Sequence, residues 1–247
     1  MNNITYKIYT TKDISSREIS SKFFTKAEEL GLSPEYISYS EPINKPYGKA
    51  EAISLWTQER EGCYDFDLKK MVGKVGGMLA RNRSKSITYM YDWCKWPNKK
   101  SVNYLSFYLS TKSYNDNADK LMTLFRYVIE LFDAFHANIT LSDVFTRQHE
   151  TGNVEQRLTG VFWCNYFSNI YVNHFGRKKL LNYPWFNTEE TLNGIFTYLD
   201  ENPISNIATD STLEEKAKRY LGCKSFARCN GLPTVTNGKY NVPNILK

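Results

Sequence analysis

The sequence has few of the features that mark membrane, secreted or metal-binding proteins. No run approaches the about eighteen consecutive apolar residues that a membrane-spanning helix needs, and MNNITYKIYTTKD lacks the basic, apolar and small-residue sections of a signal peptide. The five cysteines include no C-x-x-C pair, so neither a disulfide framework nor a zinc site is favoured. We therefore expect free thiols, no contact with a membrane and a cytoplasmic location. The cysteines are Cys63, Cys94, Cys164, Cys223 and Cys229.

Residues that carry catalysis or bind phosphate and metals are also sparse. The three histidines, His136, His149 and His174, have no metal-ligand spacing, and the phosphate-loop and nucleophile-elbow motifs are absent. His136 ends a predicted helix, where the helix dipole stabilises a cation. His149 and Glu150 are a candidate acid-base pair, but they lie in a polar loop without a nucleophile motif nearby. We expect no cofactor, no metal and no catalytic role.

Aromatic residues and positive charge are what the sequence has in excess. It contains 18 tyrosines, 14 phenylalanines and 5 tryptophans, and its net charge is +6 with a pI near 8.9. Two tryptophans lie among lysines in DWCKWPNKK, and a third follows a proline. Exposed rings of this kind are typical of protein interfaces or of platforms for single-stranded nucleic acid, whereas a loop that folds back would make them core. The candidate partner-binding residues are Trp93, Trp96, Arg177 and Trp185.

Hydrophobic periodicity and turn residues predict a mixture of helices and strands. The strongest pattern is an apolar stripe between Asn115 and His136, which indicates a core helix. A helical spacing over 65–81 predicts a second helix, although glycines, which disfavour helices, interrupt it. The further predicted strands are ITYKIYTT, AEAISLWT, KSITYMYDW, SVNYLSFYLST, RLTGVFWC and IFTYL. The further predicted helices are SNIYVNHF and EEKAKRYL. KLLNYPWF is expected to be extended, and residues 188–192 are expected to form one helical turn.

The order of these elements predicts an α+β fold with a mostly antiparallel sheet and helices packed on one face, because strands follow one another through short turns. No stretch has the composition of a linker. Residues 1–210 are expected to form one domain, and residues 211–247 a C-terminal helix and a loosely attached tail.

One segment carries a family resemblance. GVFWCNYFSNIYVNHFGRKKLLNYPWF resembles the signature of bacterial immunity proteins found beside secreted toxins, including those of type VI secretion systems. The pattern is a strand with Trp, Asn and Tyr, then a short helix, a glycine, a leucine and a proline. Its positions here are Trp163, Asn165, Tyr166, Tyr171, Gly176, Leu180 and Pro184, with Gly194 and Pro203 matching a later glycine-then-strand ending. The resemblance covers Ile87–Pro203; the residues before it and the tail after Asn206 have no counterpart.

The resemblance implies a non-catalytic protein that binds and neutralises a cognate toxin in the producing cell. The rings of the signature are expected to be mainly structural, with Asn165 satisfying backbone groups at a turn. The basic charge fits an acidic toxin surface. The alternative is a nucleic-acid-binding or mobile-element accessory protein, whose affinity would fall steeply with salt.

Overall fold

The computed structural model describes residues 3–65, 69–148, 154, 156–204, 210–234 and 240–246. Contacts between its elements divide the chain into two compact units. The first comprises Tyr6–Ala134, and the second comprises Phe135–Ile245 with the N-terminal residues through Thr5. The domain boundary predicted at residue 210 falls inside the second unit.

The first unit is a sheet with three helices. Its helices are α1 (Arg17–Glu29), α2 (Lys49–Thr57) and α3 (Thr111–Phe132), and its strands are β1 (Asn3–Thr10, in this unit from Tyr6), β2 (Tyr36–Ser38), β3 (Lys45–Pro46), β4 (Arg60–Asp65), β5 (Lys70–Arg81), β6 (Ile87–Lys95) and β7 (Asn103–Ser110). The strand order is β1-β7-β6-β5-β2-β3, and β4 also pairs with β5. The pairs β2–β3, β2–β5, β4–β5, β5–β6 and β6–β7 are all antiparallel.

Helices cover one face of this sheet. Along β6, Ile87, Tyr89, Tyr91 and Trp93 are buried, whereas the residues between them are partly exposed. The Trp93 indole N–H donates to the Trp56 carbonyl at 2.7 Å, and the Trp56 ring lies 4.4 Å from Tyr91. The α+β class and the β6–β7 hairpin predicted from the sequence are confirmed.

Two sequence predictions in this unit are wrong. Lys49–Thr57 is a helix rather than a strand, because Ala52, Ile53 and Trp56 form one buried helical face. Lys70–Arg81 is a strand rather than a helix, and it is paired on both edges. Gly76 leaves room for the Trp93 side chain of the paired strand β6, since a Cβ at Gly76 would overlap the Trp93 indole ring.

The predicted core helix exists but is shifted toward the N-terminus. α3 begins after Ser110, whose side chain accepts from the Ser113 N–H, and it ends at Asp133 in the left-handed conformation. The sequence predicted that His136 ends this helix, but His136 lies in a strand of the second unit.

The second unit contains four α-helices and six further strands among its described residues. The helices are α4 (Ser142–Gln148), α5 (Asn169–Phe175), α6 (Arg177–Asn182) and α7 (Thr212–Leu221), and the strands are β8 (His136–Leu141), β9 (Cys164–Ser168), β10 (Asn187–Glu190), β11 (Gly194–Tyr198), β12 (Arg228–Cys229) and β13 (Leu232–Pro233). The order β10-β11-β9-β8 is antiparallel throughout, and β12–β13 is a separate antiparallel pair. None of the described helices of the chain combines the length and hydropathy that a membrane span requires.

Several local predictions in this unit need correction. The strand predicted over RLTGVFWC begins only at Cys164, the predicted extended segment contains α6, and the predicted helical turn is the strand β10. β10 is a strand because its backbone pairs with β11 from Asn187 to Glu190, a partner that local sequence does not reveal.

Disulfides overturn the expectation of free thiols. Cys223 and Cys229 are joined, and Cys94 is also disulfide-bonded, whereas Cys164 is buried and keeps its thiol. The described part of the C-terminal tail is held to the second unit: the Asn241 N–H donates to the Lys224 carbonyl at 2.8 Å, and His174 Nε2 contacts the Asn241 carbonyl at 2.9 Å.

Replacing Gly76 with alanine should destabilise the first unit by about 1–3 kcal/mol, because the added methyl group overlaps the buried Trp93 ring. Urea unfolding followed by tryptophan fluorescence measures the change. Gly48→Ala is the matched control, since the nearest atom to its Cβ lies 4.0 Å away. Equal midpoints for the two variants would show that Trp93 does not pack against Gly76.

His136 makes the stability of the second unit depend on pH. Its side chain is 1% exposed, and Nδ1–H donates to the Tyr166 carbonyl at 2.9 Å. Burial lowers the pKa of His136 from 6.5 to about 4, and the hydrogen bond opposes this only in part. Between these values the unfolded chain binds a proton that the folded chain does not, so the free energy of unfolding falls as pH falls from 6.5 toward 4.

The variant His136→Asn should weaken this acid dependence, because asparagine keeps an N–H donor but does not titrate. Wild-type protein is expected to lose on the order of 3 kcal/mol over this pH interval, and the variant distinctly less from a lower starting stability. Urea midpoints at a series of pH values measure both. A variant whose stability falls with pH as steeply as that of wild type would assign the dependence to another group.

Candidate protein-binding site

The signature segment forms a buried corner of the second unit. Asn165 is completely buried; its amide accepts from the Phe162 N–H and donates to the Phe162 carbonyl, both at 2.9 Å. Trp163 donates its indole N–H to the Asp200 carbonyl at 2.9 Å, and Tyr166 donates its hydroxyl to the Asn193 carbonyl at 3.0 Å. These side chains are occupied within the unit, so they position the corner and do not present a binding surface.

The remaining signature residues also have structural positions, with one exception. Tyr171 is fully buried, Leu180 is buried, and Gly176 joins α5 to α6 with φ +91, a conformation that favours glycine. A Cβ at Gly194 would overlap the Phe167 carbonyl. Pro184, by contrast, is exposed.

Trp93 does not have the exposure expected of a partner-binding residue. Its side chain is 1% exposed and its indole N–H is bonded to the backbone of α2. It faces the helices because side chains alternate along β6. Trp93 is therefore a core residue of the first unit.

Trp96 lies beyond the end of β6 and lines a surface groove of about 430 Å³. The opposite wall is the start of β5, because the β5–β6 register leaves residues 70–72 beside the loop that follows Lys95. The residues that line it are Lys70, Met71, Val72, Trp96, Pro97, Asn98 and Lys99, with no Asp or Glu among them. We call this feature the Trp96 groove.

The Trp96 groove combines positive charge with accessible apolar surface. The Lys99 ammonium lies 3.8 Å from the centre of the Trp96 ring, and Lys70 and Lys99 are both exposed. Met71 is 48% exposed, and Tyr64, its partner across β4–β5, is 45% exposed. Large apolar side chains beside cations are the chemistry of protein-binding hot spots.

Trp185 and Arg177 lie in the second unit, whereas Trp96 lies in the first. The Trp185 indole donates to the Leu180 carbonyl at 2.7 Å and its ring lies 4.5 Å from Tyr183. Arg177 is ion-paired with Glu190. Because both side chains are occupied, this surface is less available to a partner than the Trp96 groove; Phe186, 61% exposed, is its most accessible ring.

Sequence reasoning proposed Trp96 as a partner-binding residue but did not name Lys70 and Met71, which line the same groove. The residues from 65 to 81 were expected to be helical, and only the strand register brings the start of β5 beside Trp96. The acid-base candidates His149 and Glu150 lie outside the described residues. In the described part of the chain, no three His, Cys, Asp or Glu side chains are grouped so as to hold a metal ion.

Comparison with known proteins shows similarity at the level of the fold. No family model matches the chain, and no curated protein matches it. A solved structure described as a Pseudomonas aeruginosa T6SS protein, PA0821, is similar with a TM-score of 0.54 and 10% sequence identity, over 90% of this chain and 83% of that one. The two chains share a fold.

Proposed function

We propose that this protein is a non-catalytic immunity protein that binds and neutralises a cognate toxin of a type VI secretion system. The signature over Gly160–Phe186 and the fold shared with a T6SS protein support this role. The observation that carries the binding site is the Trp96 groove, where a half-buried tryptophan and an exposed methionine lie between lysines.

The charge and apolar area of the Trp96 groove indicate which kind of toxin surface would bind there. Lys70 and Lys99 attract an acidic surface and speed its approach. Met71 and Trp96 offer apolar area that an aromatic or aliphatic side chain of the toxin can bury. A toxin segment with carboxylates around one large apolar residue fits both features.

Protein binding is favoured over nucleic-acid binding by the position of Lys99. Its ammonium occupies a face of the Trp96 ring, the surface on which a base would stack. A base must displace this cation, whereas a protein carboxylate can pair with it where it is.

The variant Trp96→Ala should lose protection against the toxin. The probe is the product of the neighbouring toxin gene, tested by growth of a host that produces it together with this protein and by titration calorimetry. Wild-type protein is expected to restore growth, and the variant to bind about 30-fold more weakly, the effect of losing one hot-spot residue of about 2 kcal/mol. Thermal melting checks that the variant is folded.

The matched control is Trp185→Ala, which removes the other half-buried candidate tryptophan and should leave toxin affinity within about threefold. Loss of binding in Trp185→Ala with full binding in Trp96→Ala would place the interface on the second unit. Failure of wild-type protein to bind the toxin, together with salt-sensitive retention of DNA or RNA, would replace the immunity role by nucleic-acid binding.

The disulfides are relevant to the compartment in which the protein would bind its toxin. The sequence led us to expect a cytoplasmic location, but structural disulfides such as Cys223–Cys229 are rare in the reducing cytosol. We propose that the protein works in an oxidising compartment.

Alkylation of acid-quenched cells with a maleimide that adds mass to each free thiol tests this compartment. In the natural host, Cys223 and Cys229 should be protected until a reductant is added, because they are bonded to each other. The variant Cys223→Ser, in which Cys229 becomes reactive, is the control. Full labelling of both thiols in wild-type cells without reductant would restore the cytoplasmic location.

A further inference from the structure

A second cavity, of about 500 Å³, lies on the first unit's sheet away from the Trp96 groove. Asp92 and Met90 reach it from β6, Leu79 from β5, Arg60 from β4, and Tyr39 from the segment after β2. Asp92 and Met90 alternate with the buried residues of β6, so these two side chains point to the face opposite Trp93 and Tyr91.

Arg60 is an unusual cation because two of its guanidinium nitrogens lack a hydrogen-bond acceptor. Nε and Nη1 are inaccessible to solvent and have no hydrogen-bond partner. The Tyr39 ring covers the guanidinium, with 3.0 Å between the ring centre and the guanidinium carbon. Burial lowers the pKa of Arg60 and the nearby Asp92 raises it. Arg60 as a whole is half-buried, but donors shielded from solvent without an acceptor are costly, and an acceptor supplied by a ligand would satisfy them.

Asp92 supplies the opposite charge in the same cavity. The Tyr104 hydroxyl donates to its Oδ2 at 2.9 Å. Burial raises the pKa of this carboxyl group, while the Tyr104 hydrogen bond and the charge of Arg60 lower it. Neither Nε nor Nη1 of Arg60 bonds to it, so the two charges are neighbours without neutralising each other directly.

Of the other lining residues, Ser40 and Glu41 are polar and exposed, and the rest are apolar or contribute main chain. Val75, Leu79 and Met90 contribute aliphatic surface, and Gly76 and Gly77 contribute main chain. Tyr39 is 51% exposed, so its ring can turn toward solvent and open Arg60 without disturbing the sheet. Cavities of this size are suited to small molecules.

We propose that this cavity binds a free α-amino acid with an aliphatic side chain. The carboxylate of the ligand pairs with Arg60, its ammonium pairs with Asp92, and its side chain lies against Leu79 and Met90. A zwitterion satisfies both signs of charge at once. An anion alone would be repelled by Asp92 and Glu41, and a cation alone would leave the shielded donors of Arg60 without an acceptor. The site is separate from the Trp96 groove and does not depend on the immunity role.

The test is a titration of the full chain with L-leucine, L-alanine and L-methionine, followed through the backbone amide resonances of Gly76 and Gly77 and by calorimetry. At least one of them should shift these resonances saturably. Arg60→Met and Asp92→Asn should each weaken binding about tenfold or more, because each removes a charged hydrogen-bond partner. Arg83→Met, which removes an exposed arginine of the same unit, should bind as wild type.

Two analogues test the ammonium group and the carboxylate group of the ligand separately. N-acetyl-L-leucine lacks the ammonium, so its weaker binding should no longer respond to Asp92→Asn; L-leucinamide lacks the carboxylate and should no longer respond to Arg60→Met. Thermal melting of Arg60→Met should show no large loss of stability, since the substitution removes two shielded donors that have no acceptor. The proposal is overturned if none of the three amino acids shifts Gly76 or Gly77 at millimolar concentration, or if both charge variants bind as wild type.

Discussion

The contact between two tryptophans determines how the first unit is arranged. Trp93 lies against Gly76 and donates to the Trp56 carbonyl, while Trp56 donates its own indole N–H to the Ile14 carbonyl at 2.7 Å. A shift of one residue in β6 would bury Asp92 and expose Trp93, which the loss of apolar burial strongly opposes. Because this register is held, Asp92 points away from the helices and Trp96 lies beside the start of β5. The groove and the cavity both follow from it.

In the second unit a buried amide has a comparable role. Asn165 satisfies both backbone groups of Phe162, at the point where the chain enters β9. Gly194 keeps β11 close to β9, since any side chain there would overlap the Phe167 carbonyl. The signature that suggests an immunity protein is thus mostly a description of this corner. In the proposed function, the residues that recognise the toxin therefore lie outside this corner.

The two surface features of the first unit have different chemistry. The Trp96 groove has cations of one sign and large apolar side chains, which suit a protein surface. The cavity beside Arg60 holds both signs of charge and shielded donors, which suit a small bipolar molecule. They lie along different parts of β5, so the two proposed sites do not overlap.

Some of this protein was determined by the sequence alone. The long apolar period of α3 and the alternation along β6 and β7 specify their structures locally, and the α+β class follows from them. Asn165 was expected from its residue type and neighbours to bind backbone groups, and it does. The assignment of Trp96 to a binding surface stays a prediction. The assignments that failed, α2, β5, α6 and β10, are short or glycine-rich segments whose local preference is weak. Only tertiary contacts decided them: Trp56 gives α2 a buried face, and β5 becomes a strand because partners on both edges satisfy its backbone. The same contacts buried Trp93, brought Met71 beside Trp96 and left two donors of Arg60 without an acceptor near Asp92. These positions depend on the register between neighbouring strands, which local sequence does not specify.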